Sequence, residues 1–255
     1  MIASLPMYDW PEVQSATDRW WHYLKTSFLQ NGIGAPDSVC RHLDNFDVWL
    51  SPELLLSQTC GLPYATRLRD CVSLIGTPDY GIEGCPAGYY CSALVIRAGD
   101  DRTRLQEFRH SRWACNARNS QSGYQAMVQA VADVSDPLGF FKARQMTNSH
   151  RNSIRQVAAS HADIAAIDWV SWRLARKYES AAKQLRVLQR THPMPGLPYI
   201  CHRSQDAMLA CDVVENALEQ ADREVKSALS IQSFWRSEPG DYNVIAERMD
   251  SADYH

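Results

Sequence analysis

The chain has 255 residues, 45% of them hydrophobic and 22% charged, and carries a formal net charge of -3. That is enough chain to bury a full core, as one large domain or as two lobes, and the balance of residue types is that of a soluble globular protein. The slightly acidic charge excludes a general nucleic-acid surface, because binding a phosphate backbone asks for a basic face, and the longest apolar stretches are too short to insert in a membrane.

Strands and helices alternate from the start. Ile2 to Pro6 reads as a short apolar strand. Pro11 to Gln30 follows as a helix with Trp20, Trp21, Leu24 and Phe28 on its apolar face, stopped by Gly32 and Gly34. Pro52 is expected to open a further helix at its first turn, buried by Leu54 to Leu56. Cys71–Ile75, Tyr89–Ile96 and Trp113–Asn116 are rich in strand formers, and a helix starts near Ser120. Ser149 then stands as the cap of a short helix on which Ile154, Val157 and Ala158 mark an apolar face. Ile164–Ile167 is a buried strand that ends at Asp168, and a longer helix carries Trp172 and Leu174. Leu185–Gln189 and Tyr199–Cys201 are strands, and the tail beyond Gln205 is expected to be mostly helical. Such alternation predicts parallel sheet covered by helices.

The first ten residues, MIASLPMYDW, have neither the basic n-region nor the apolar h-region of a secretory signal. As written the chain is expected to be cytoplasmic, and periplasmic only if a leader has been trimmed. Its eight cysteines (Cys40, Cys60, Cys71, Cys85, Cys91, Cys115, Cys201 and Cys211) are then expected to be reduced. No pair has CxxC spacing and no HExxH helix occurs, so no metal site is expected. GxGxxG and GxxxxGK[ST] are also absent, and no cofactor is expected. GxSxG is missing as well, so no catalytic residue is assigned.

Four polar stretches sit where strands end. In "NARNSQSGYQAM", 116 to 127, Ser120, Ser122, Gly123 and Tyr124 open a helix whose N–H groups and dipole suit an anion, although serines also cap helices everywhere. Ser149 and His150 occupy the same strand-to-helix position in the next unit, and two such starts on one sheet can converge on one ligand. Tyr8 and Asp9 follow the first strand, where a packed tyrosine and a capping aspartate would explain them equally. Gln58 and Thr59 precede Gly61 and Pro63 in a tight loop that reads either as a ligand wall or as a plain turn.

Taken in order, "SLPMYD", "LLLSQTCGLPY", "DYG…GYYCSALVIRAGDD", "NSQSGY" and "SHRNSIRQVAASHADIAAID" resemble the substrate-binding components of phosphate/phosphonate ABC transporters. The resemblance runs over roughly residues 2 to 205. It implies an α/β fold of the type-2 periplasmic-binding-protein class: two lobes joined by two crossing strands, closing over a small ligand in the cleft between them. One lobe would take 1–92 and 190–255, the other 93–189. It also implies that Ser120, Ser122, Gly123 and His150, with Ser149 beside it, grip a phosphonate-like group, and that Asp168 meets an amino group or hydroxyl at the ligand's other end. A small anionic or zwitterionic solute, and an ABC permease, are the partners so implied. The alternative is a cytoplasmic enzyme on the same fold, of the kind acting in menaquinone or thiamine-pyrimidine biosynthesis, with Asp9, Asp168 or Cys60 as its reactive groups.

Overall fold

The computed structural model describes residues 1–137 and 139–248; the end of the tail read as helical, 249–255, lies outside them. The chain divides into two compact units, one of Met1–Tyr89 with Pro195–Glu247 and one built on Tyr90–Met194. It therefore leaves the first unit at 89/90 and returns at 194/195.

The first unit begins with strand β1 (Ile2–Ser4) and helix α1 (Gln14–Gln30), entered through a 3-10 turn at Pro11–Val13. Trp20, Trp21, Leu24 and Phe28 recur at helical spacing and all are buried, so tertiary packing of one face holds the helix. Gly32, at φ +73°, takes the left-handed conformation just past its end. Helix α2 (Asn45–Trp49) is capped by Asp44, which accepts from the Phe46 N–H at 2.8 Å. Leu54–Gln58 is strand β2, all five residues buried, and not the helix that Pro52 suggests. A short apolar run buried on both faces has no period to read, and pairing with the neighbouring strands decides its state. Helix α3 (Gly61–Pro63) runs into a wide turn over Tyr64–Leu68, then strand β3 (Val72–Asp79) leads to β4 (Tyr89–Tyr90) at the first crossing.

The second unit contains β5 (Ser92–Arg97), β6 (Arg112–Cys115), α4 (Ala126–Ala132), β7 (Ala143–Met146), α5 (His150–Ala158), β8 (Ile164–Asp168), α6 (Trp169–Tyr178) and β9 (Leu185–Arg190). Its sheet has the order β7-β6-β8-β5-β9. The strands joined by helical crossovers, β6, β7 and β8, are parallel, while β5 is antiparallel to both β8 and β9. Leu94, Ile96, Trp113, Met127, Val131 and Ile164 form the core between the sheet and α4. β7 has no apolar pattern because it is the edge strand and most of its residues are exposed.

Beyond β10 (Met194–Pro195), which pairs with β4, the chain adds β11 (Tyr199–His202), α7 (Ala207–Gln220), α8 (Arg223–Leu229), β12 (Ser233–Trp235) and α9 (Asn243–Glu247) to the first unit. That unit's sheet has the order β1-β2-β11-β3-β12; β1 and β2 are parallel and the later partners antiparallel. Both sheets are thus mixed, not parallel throughout as the alternation alone implies. The exceptions enter from a crossing or from the tail, without the helical crossover that makes neighbours parallel. β12 interrupts the helical tail because Ser233–Trp235 pairs with Thr77–Asp79. Trp235 fits there against Gly88, where a Cβ would meet its Cε3 at 2.3 Å.

Candidate functional site

In the second unit β7, β6 and β8 are adjacent and parallel, so the residues that follow their carboxyl ends share one edge of the sheet. Ligands of open α/β sheets gather at that edge. Three polar segments are brought there: 116–124 after β6, 147–150 after β7, and Asp168 at the end of β8.

The segment after β6 enters its helix through a π turn, Gln121–Gln125, capped by Ser120. The Ser120 Oγ accepts from the Gly123 N–H at 3.0 Å, and its carbonyl accepts from both Tyr124 and Gln125 N–H at 3.1 Å. The N–H groups of Gln121 and Ser122 have no acceptor one helical turn back, which leaves the positive end of the helix open to an acceptor. Gly123 leaves room for a close approach: a Cβ there would meet the Asn116 Oδ1 at 1.8 Å, and that side chain would have to shift. Tyr124 is buried and its hydroxyl accepts from the Arg144 guanidinium at 2.6 Å.

The segment after β7 is fixed from below by Thr147. Its hydroxyl lies 2.6 Å from the Ser153 Oγ, 3.1 Å from the Cys115 carbonyl and 3.2 Å from the Ser149 carbonyl. Asn148 takes the left-handed conformation, φ 66°, that asparagine tolerates best after glycine. Ser149 then caps α5 by accepting from the Asn152 N–H at 3.1 Å. The first residue of that helix, His150, places Nε2 2.8 Å from the Ser122 Oγ, and the Ser120 Oγ is 3.5 Å from that same oxygen. Ser120, Ser122 and His150 therefore stand together.

Burial drives the His150 imidazole down from 6.5 to about 4. The Ala166 carbonyl beside the ring offsets this only in part, since the ring's Nδ1 makes no hydrogen bond of normal geometry. The ring is neutral near pH 7. The side chains that meet in this cluster are then uncharged, and the helix end supplies the electrostatic attraction for an anion. The Ser92 hydroxyl donates to the Ser122 carbonyl at 2.8 Å, and Ser92 is the register partner of Asp168. Asp168 is 2% exposed and caps α6 through the Ser171 N–H at 2.9 Å.

Tyr8, Asp9, Gln58 and Thr59 belong to the first unit, at or just after the ends of the parallel strands β1 and β2. Tyr8 packs edge-on against Tyr80 with centroids 5.1 Å apart. Gln58 donates to the Tyr80 hydroxyl at 2.8 Å and to the Leu197 carbonyl at 3.2 Å, while Thr59 is fully buried and its N–H bonds the Pro198 carbonyl. Asp9 is held by the Arg41 guanidinium at 2.5 Å. Tyr8, Gln58, Tyr80, Trp20 and Tyr199 line a cavity of about 30 Å³, room for a water or two. Among the described residues no group of three or more metal-ligating side chains gathers. All eight cysteines are free thiols, and burial pushes Cys115, beneath the serine turn, up to about 12.

Two residues of this region escape a reading of the sequence. Asn116 reads as a strand end and Gln121 as filler between serines, yet buried side-chain oxygens of both, and the Gln121 nitrogen, have no hydrogen-bond partner.

A family described as the periplasmic substrate-binding protein of phosphonate ABC transporters matches residues 59–242. No curated protein matches this chain. Among solved structures, PhnD1 from Prochlorococcus marinus in complex with methylphosphonate is 13% identical, with a TM-score of 0.75 over 97% of this chain and 96% of that one. A binding-protein component of an ABC phosphonate transporter from Pseudomonas aeruginosa is 18% identical, with a TM-score of 0.70 over 97% of this chain and 84% of that one. XAC2383 from Xanthomonas citri, bound to chloride ion, is 14% identical, with a TM-score of 0.68 over 99% and 96%. At these identities the likeness shows a shared periplasmic-binding-protein fold.

Proposed function

We propose, since this chain belongs to the family of phosphonate periplasmic substrate-binding proteins of ABC transporters, that its Ser120–Ser122 turn and His150 hold the oxyanion of a small phosphonate-like solute. Membership makes the protein a transport-related binder of a small molecule, with a membrane permease as the partner the family implies. Its family is periplasmic, and no helix among the described residues is long and apolar enough to cross a membrane.

One observation carries the assignment: the Ser122 Oγ and His150 Nε2, 2.8 Å apart, meet beside the Ser120 Oγ at the open end of a helix. An oxyanion set there accepts from two hydroxyls, from backbone N–H groups and from the imidazole. Gly123 supports this reading by letting the main chain come close, and Ser149 by fixing the start of the helix that carries His150. Tyr124, whose ring packs on Trp113 in the core and whose hydroxyl bonds Arg144, is proposed as a ligand contact only by its place next to Gly123. Asp168, one strand over, is proposed to meet an amino group or hydroxyl on the solute, which would admit zwitterions. The roles of Tyr8, Asp9, Gln58 and Thr59 as ligand contacts are likewise proposals, supported by their place at or just after the ends of the parallel strands of the first unit.

A thermal-shift panel of methylphosphonate, other phosphonates, phosphate, sulfate and neutral amino acids tests it. A ligand at about a hundred times its Kd stabilises by roughly 2.7 kcal/mol, a shift of several degrees for a chain this size. A shift with a phosphonate, abolished in Ser122→Ala, is the expected result. A panel without a phosphonate or phosphate response would overturn the assignment.

A further inference from the structure

The serine turn holds more hydrogen-bond capacity than an anion can use. An anion only accepts, so it satisfies hydroxyls and N–H groups. It leaves side-chain carbonyl oxygens unpaired, and three such oxygens lie in and beside the turn: those of Asn116, Gln121 and Gln125. The Asn116 oxygen sits directly over Gly123. Gln121 stands between Ser120 and Ser122, is 1% exposed, and has both its amide oxygen and its amide nitrogen without a partner. A buried donor and a buried acceptor on one side chain are costly to leave unmade. A ligand that carries both an anionic oxygen and a hydrogen would satisfy both.

We propose that Gln121 reads a hydrogen on the ligand's anionic head, so that the site takes singly protonated phosphonates and discriminates against sulfonates, which have the same charge and shape but no hydrogen. This rests on the oxyanion assignment above and adds the residue that sets its selectivity. A singly protonated phosphonate presents one P–O–H and two P–O acceptors. The Gln121 oxygen takes the hydrogen, its nitrogen donates to a neighbouring phosphonate oxygen, and no proton changes hands. Sites built to bond a substrate hydrogen reject the analogue lacking it, because their own buried groups are then stranded.

The test uses the full chain, with methylphosphonate and methanesulfonate as probes, at a pH below the second ionisation of the phosphonate, so that both are monoanions. Titration calorimetry on the wild type is expected to give methylphosphonate at least a ten-fold tighter Kd, the scale of one charge-assisted hydrogen bond. Gln121→Met, close in volume and unable to bond, should close that gap by weakening methylphosphonate while leaving methanesulfonate within about two-fold. Equal wild-type affinity for the two probes, or an unchanged ratio in Gln121→Met, overturns the proposal and leaves the oxyanion site standing. Should Gln121→Met fail to fold, the wild-type ratio decides alone. Wild type that binds neither probe overturns this proposal, and overturns the oxyanion assignment as well if no other phosphonate and no phosphate in the thermal-shift panel binds.

Discussion

The Ser122 hydroxyl and the His150 Nε2 belong to different helices, 28 residues apart in sequence, yet stand 2.8 Å from each other. Each comes from a helix start that follows a parallel strand of the same sheet. A hydrogen bond to a charged partner contributes roughly 1.5–3 kcal/mol. Ser122→Ala and His150→Ala should therefore each weaken phosphonate binding by about ten- to a hundred-fold. Calorimetric titration of the two variants checks this, and affinity unchanged in both removes these residues from the site.

The depressed His150 carries a pH signature of its own. Its folded value is about 4 against an ordinary 6.5, with burial as the main cause. Between those values the unfolded chain binds a proton that the folded chain refuses, so stability rises with pH across the window and is lost as pH falls through it. His150→Gln removes the titrating group and should flatten that part of the Tm-against-pH curve relative to wild type. A difference between the two proteins that stays constant from pH 6.5 down to about 4 would count against a buried neutral imidazole.

Gly123 makes a steric claim. A methyl group there would meet the Asn116 Oδ1 at 1.8 Å, and overpacking of this kind costs roughly 1–3 kcal/mol. Gly123→Ala should lower stability by that amount. Adding Asn116→Ala should recover most of the loss, because it removes the obstructing atom. A denaturant-melt double-mutant cycle reads the coupling. If the two losses simply add, close approach of Asn116 is not why glycine stands here.

What can be read from the sequence is whatever carries a local signal. α1 declares itself through four buried aromatic and aliphatic residues at helical spacing, and α5 through the Ser149 cap and its narrow apolar face. β5 and β8 are continuous buried runs between turn residues, and the motifs around them already point to the family. β2 misleads because five buried residues in succession have no period, and because Pro52 looks like a helix start. β7 is silent because an edge strand with exposed side chains needs no apolar pattern, and β12 because three residues acquire strand geometry only by pairing with Thr77–Asp79. The same division runs through the candidate site. Ser120 and Ser149 show as helix caps, and Tyr8, Asp9 and Asp168 as strand ends. The 2.8 Å meeting of Ser122 with His150, the hold of Arg41 on Asp9, and the stranded amide of Gln121 are products of tertiary packing that no spacing encodes.

Asp163 anchors the far end of the strands that carry the site. It accepts from the Arg112 N–H at 2.8 Å and guanidinium at 2.9 Å, and from the Arg97 guanidinium at 3.1 Å, which ties β5 and β6 to the start of β8. Burial pushes its carboxyl up, but the hydrogen bonds from Arg112 and Arg97 outweigh it and hold the group well below its ordinary 3.8. Asp163→Asn removes the charge on which both guanidiniums converge. Because Arg112 is 39% exposed, screening keeps the loss near the low end of what hydrogen bonds to a charged group supply, about 1.5 kcal/mol. The stabilisation is present above the unfolded carboxyl's 3.8 and is lost as pH falls toward the lower folded value. The stability gap between wild type and variant should thus be widest at neutral pH and shrink in acid, while phosphonate affinity at neutral pH changes less than about two-fold. A gap that does not narrow below pH 3.8 would show that shape, rather than charge, is what Asp163 contributes.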